Sequence, residues 1–158
     1  MSFERQVKKF EAQEKKIVLK FYKRLCSFLK ANKLIYKKID KELKVLLDAS
    51  TYFIINENTH VMFFTSRLPI TVDPAKRLEM SAAIVHINHV IADGSFSYNA
   101  KTGDISLKHA LCFHHCAIGE GMFAYILANT SELLNFYRPK LAELNSGSIS
   151  LEEFMAKN

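Results

Sequence analysis

Residues 78–113 read LEMSAAIVHINHVIADGSFSYNAKTGDISLKHALCF. The first part is an apolar helix, the middle a sharp turn at Asp93-Gly94, and the remainder a β-hairpin. Met80, Ile84, Ile87 and Ile91 repeat at helical spacing on one stripe, and Leu78, Ala82 and Val85 on another. Two apolar stripes imply contact on two sides, as for a central helix. Upstream, Asp73-Pro74 is a helix start, with Asp as N-cap and Pro at the first helical position. Gly94 suits a left-handed cap at the other end. In the hairpin, Phe96 and Tyr98 alternate on one strand, and Ile105, Leu107, His109, Leu111 and Phe113 on the other. Ala100-Lys101-Thr102-Gly103 supplies the turn.

The flanking sequence reads as cover for this helix-plus-hairpin. Ser2 to about Ala31 is one long helix. Phe3, Val7 and Phe10 share a stripe. The broader stripe of Ile17, Phe21, Leu25, Phe28 and Leu29, flanked by Val18 and Tyr22, should dock on the body. The first half of this helix is free to project or to meet a partner. Residues 34–48 are ambiguous. Leu43, Val45 and Leu47 suggest a short strand over about 43–48, while Ile39, Leu43 and Leu46/Leu47 also fit a helix.

TYFIINE and HVMFFTSRL, joined by a turn at Asn58-Thr59, make two further strands, the second ended by Pro69. Tyr52 to Ile55 and Val61 to Phe64 are apolar on both faces, so a second face needs cover. Glu120 to about Leu144 is helical, with Met122, Ile126, Leu133, Tyr137, Leu141 and Leu144 on one stripe and Pro139 marking a kink or a new turn. Ser150 with Glu153 forms a capping box for a short last helix, over about 150–157.

The expected order is helix, three strands, helix, two strands, helix. This is an α+β fold, with an antiparallel sheet packed by helices in a single domain spanning 1–158. The composition agrees. The chain has 158 residues, 49% hydrophobic and 24% charged, enough to bury a real core. No apolar run reaches the roughly 18–20 residues of a membrane span. MSFERQVKKFEAQEKK is too charged for the core of a signal peptide. Three cysteines do not make a disulfide scaffold, so the cytoplasm is the expected compartment. The net charge of +6 is uneven: Met1 to Lys44 hold fourteen Lys/Arg against five Asp/Glu, and the rest holds eight against eleven. The basic character therefore belongs to the N-terminal segment, the long helix included, rather than to the body. Acids interleave there and no aromatic–basic platform accompanies them, so a solvated, docked helix is the reading, and neither nucleic acid nor lipid is the expected partner.

The run AAIVHINHVIADGSFSYNAKTGDISLKHALCF resembles the YbjN family of small bacterial proteins, labelled sensory-transduction regulators, which share the fold of type III secretion chaperones. The features that carry the resemblance are Ile87-Asn88 on the core helix, Gly94-Ser95-Phe96 opening the next strand, and the Gly103-Asp104 turn. Lys108 and Leu111 on the following strand, and Tyr137 and Pro139 on the last long helix, complete it. The likeness spans roughly 43–147. It implies a chaperone-like core, a homodimer and a protein or peptide partner, and it transfers no catalytic, cofactor-binding or metal-binding residue.

Four features compete with that reading. His109, Cys112, His114, His115 and Cys116 carry zinc-type ligand atoms, but their spacing matches no zinc pattern, and His109 and Cys112 point to opposite faces of a strand. They are the alternative function, a metal-binding or thiol-dependent enzyme using the 109–116 cluster. His86 and His89, with Glu79 one heptad before His86, read as the polar edge of a core helix rather than as ligands. Cys26, near Arg24, reads as packing. Gly119-Glu120-Gly121 lacks the Lys-Ser/Thr of a phosphate loop. The expectation is a non-enzymatic binding module with no cofactor and no metal.

Overall fold

The computed structural model describes residues 3–114, 116 and 118–156. Its elements are α1 (Phe3–Ala31), β1 (Lys37–Ile39), β2 (Lys44–Leu46), β3 (Thr51–Asn56), β4 (Val61–Thr71), α2 (Arg77–Val90), β5 (Ser95–Tyr98), β6 (Asp104–Cys112), α3 (Glu120–Ser146) and α4 (Leu151–Ala156). The strands form one six-stranded antiparallel sheet in the order β1-β2-β3-β4-β6-β5. The α+β order expected from the sequence is present, with one strand more before α2. The extra strand, β1, is three residues long and follows the Lys37↔Leu46 register against β2. Lys-Lys-Ile has no alternation to betray it. A single 3₁₀ turn, Asp40–Glu42, returns the chain to β2.

The chain divides into two compact units. One comprises residues up to Phe63 together with Ala110–Ala124; the other comprises Phe64–His109 and residues from Tyr125 on.

In the first unit, the second half of α1 supplies the core. Val18, Phe21, Tyr22, Leu25, Phe28 and Leu29 are buried, with Val45, Phe53, Ile55 and Met62 from the strands. Aromatic packing ties the unit together: Phe21 stacks on Phe113 at 4.0 Å, and Phe123 meets Phe21 edge-on at 5.6 Å. The Tyr22 hydroxyl donates to Asp40 Oδ1 at 2.9 Å. Burial, then Asp40, hold its pKa above the ordinary tyrosine range. The β3–β4 turn is an Asx turn in which Asn56 Oδ1 accepts from the backbone N–H groups of Asn58 and Thr59 at 3.0 and 3.1 Å. The second apolar face of this hairpin is only half covered. Tyr52 lies under the Lys44 ammonium at 4.4 Å, and Phe63 stays exposed.

In the second unit, Met80, Ala83, Ile84 and Ile87 of α2 pack with Leu68, Phe96, Ile105, Leu107, Tyr137, Leu141, Leu144 and Phe154. Asp73 starts the helical segment as expected, its carboxylate accepting from Ala75 N–H at 2.8 Å. Pro74–Lys76 form a 3₁₀ turn before α2 proper. The helix ends at Val90 with Ile91 already extended, and Gly94 (φ +79°) serves the turn beyond rather than the helix cap. Asn88 clamps helix to hairpin: its amide donates to Phe96 O at 2.9 Å and its carbonyl accepts from Phe96 N at 2.7 Å.

Pro69 does not end its strand. β4 continues to Thr71. Val72 N–H donates to Gly103 O at 3.0 Å. Because N–H directions alternate along a strand, position 69 turns away from that side, and its missing N–H costs no bond there. Pro139 likewise stays inside α3. On the first turn of α3 the buried residue is Phe123, while Met122 is exposed. The capping box closes α4: Ser150 N donates to Glu153 Oε2 at 2.8 Å and Glu153 N to Ser150 Oγ at 3.1 Å.

Candidate functional site

The second apolar stripe of α2 is not packed within its unit. Leu78 is 83% exposed and Val85 70% exposed, although both belong to the helix Arg77–Val90. Ala82 lies between them and His89 one turn beyond Val85, so positions 78, 82, 85 and 89 share one face. The expectation that both stripes are covered holds for one of them. Two large apolar side chains aligned on one helix face, with a small residue between, suit the close approach of another helix.

In the first unit a different arrangement forms where α1 passes the open end of the β3–β4 turn. His60, just after that turn, has φ +52°, a conformation uncommon outside glycine. Its carbonyl accepts from Phe113 N–H at 2.9 Å, which sets His60 beside His114. The two imidazoles stack at 4.7 Å with 11° between planes. Glu14 of α1 faces both: its Oε2 is 3.0 Å from His60 Nε2 and 3.7 Å from His114 Nε2. The three ligand-type atoms lie within 4.8 Å of one another. Among the described residues this is the one set of three or more His, Cys, Asp or Glu side chains that converge in this way. The 3.0 Å approach to His60 lies off the direction in which a ring N–H donates, so it is close without being a hydrogen bond.

The clusters weighed from the sequence are dispersed. His109 is buried in the second unit, its ring against Gly94, with Asp93 Oδ2 at 3.7 Å from Nδ1. Burial holds its pKa below the ordinary histidine value, and Asp93 opposes that only in part. Cys112 and Cys116 are exposed thiols. His115 lies outside the described residues. Glu79 is held by Lys76, with Nζ–Oε2 at 2.9 Å, and does not converge with His86 and His89. Cys26 is buried, and that burial raises its pKa, as suits a packing thiol.

His114 was thus in view from the sequence, but in the wrong company. Glu14 and His60 carried no signal, because nothing local connects α1, the β3–β4 turn and the segment after β6.

No family model matches the chain, and no curated protein matches it in sequence. Solved structures do. A chain in the ExsC–ExsE complex superposes with a TM-score of 0.54 at 12% identity, over 78% of this chain and 95% of that one. YbjN of E. coli, a candidate transcription regulator, superposes with a TM-score of 0.55 at 13% identity, over 70% of this chain and 83% of its own. The fold is therefore of the YbjN and ExsC type, as the sequence resemblance implied. No described helix is long and apolar enough to cross a membrane.

Proposed function

We propose that this chain is a non-enzymatic protein-binding module of chaperone or regulatory type, acting as a homodimer joined through the outer face of α2. The observation that carries the reading is the exposed pair Leu78 and Val85, with half-buried Ala82 between them, on a helix whose other face is fully packed. Covering one such side chain is worth about 1.5–3 kcal/mol, and a two-fold interface uses each residue twice. The likeness to a chain solved in the ExsC–ExsE complex supports a protein as the partner. A reducing compartment such as the cytoplasm suits three free thiols, Cys26, Cys112 and Cys116.

Co-expression of tagged and untagged copies tests it. The untagged wild-type chain is expected to co-purify with the tagged one, and the Leu78→Asp/Val85→Asp pair to abolish this. A wild-type chain that does not retain its own copy contradicts the proposal.

A further inference from the structure

We infer that Glu14, His60 and His114 form a binding site for one first-row divalent cation of the zinc type. The inference goes beyond the protein-binding reading and stands whether or not that reading does. Two imidazoles and one carboxylate are a ligand set suited to zinc and its neighbours, with a position left for water. His60 is 6% exposed, and its Nε2 is aimed at the cluster with no hydrogen bond. A buried imidazole nitrogen placed beside a carboxylate and a second imidazole is unsatisfied as it stands and is satisfied by a cation.

The geometry is close to what an ion needs. Ligand bonds of about 2.0–2.1 Å set neighbouring donor atoms roughly 3.4 Å apart on a tetrahedral ion. The three atoms here lie within 4.8 Å. The rings are nearly parallel and must tilt for their lone pairs to converge, and the torsion that tilts a histidine ring is soft. The backbone can stay where the Phe113–His60 hydrogen bond holds it.

The local charge also favours a cation. The hollow beside the cluster is lined by Glu11, Glu14 and Glu57 with Lys15 as its one cation among the described residues. This holds although the chain as a whole carries +6. Glu14 stands where α1 passes from its exposed first half to its buried second half, since Val7 and Phe10 are exposed and Val18 is buried. A bound cation would clip the helix to the hairpin at that boundary.

The full chain, stripped with a chelator, is titrated with Zn²⁺ by competition and with Co²⁺ by visible absorption. About one cation per chain is expected, with histidine-nitrogen character in the Co²⁺ bands and slower amide exchange over 7–16. His60→Ala, His114→Ala and Glu14→Gln should each weaken Zn²⁺ by about tenfold or more, while His89→Ala, on exposed α2 surface, should not. Should His60→Ala fail to fold, Glu14→Gln and His114→Ala decide the matter, because both side chains sit nearer the surface. A wild-type chain that takes up no Zn²⁺, or binding that survives all of the folded ligand variants, overturns the site.

Discussion

α2 has two apolar faces, and the chain treats them oppositely. Met80, Ala83, Ile84 and Ile87 are sealed in the core of the second unit, while Leu78 and Val85 stand in solvent. Both faces show the same periodicity in the sequence. Hydrophobic spacing reports that a face is to be covered, and it does not say by which chain. An exposed face on an otherwise well-packed helix is therefore better evidence of a partner than any single exposed residue would be.

That contrast can be broken by substitution. Ile87→Asp puts a charge in the sealed face, and a loss of about 4–5 kcal/mol or outright unfolding is expected by urea titration. Gly94→Ala comes next. Its Cβ would fall 2.8 Å from His109 Cε1 at φ +79°. Contact and backbone strain together should remove about 2–4 kcal/mol. Asn88→Ala deletes both bonds to Phe96 and should lower stability by about 1–2 kcal/mol.

His109 sharpens the contrast by pH. Its folded pKa lies below the ordinary 6.5, because burial disfavours the charged ring. Below that pH the unfolded chain binds the proton more readily. The stability from this residue is complete above 6.5 and is lost as pH falls from there through the folded value. Urea midpoints should drop on acidification, and His109→Leu should drop less. The smallest effect on stability belongs to Leu78→Asp/Val85→Asp, within about 0.5 kcal/mol for the monomer, since neither side chain is packed in its own unit.

The histidines make a second comparison. His109 and His114 lie near the end of the same strand, yet one is a packing group against Gly94 and the other faces a carboxylate and a second imidazole. Alternation along β6 made the burial of His109 legible. The partners of His114 were not, because Glu14 and His60 come close only through tertiary structure.

Local chemistry was legible where it was self-contained: Asp73-Pro74 before α2, the Ser150/Glu153 box, and the turn in which Asn99 Oδ1 accepts from Lys101 N–H at 3.0 Å. It failed where context decided. β1 is too short to show a period, Pro69 is tolerated because its N–H is not needed toward β6, and Met122 and Phe123 exchange roles by one position.

Light scattering on the full wild-type chain and on the Leu78→Asp/Val85→Asp variant tests the central claim most directly. A mass of two chains for the first and one chain for the second, with unchanged circular dichroism, is the expected result. A wild-type monomer, or a dimer untouched by both aspartates, contradicts it.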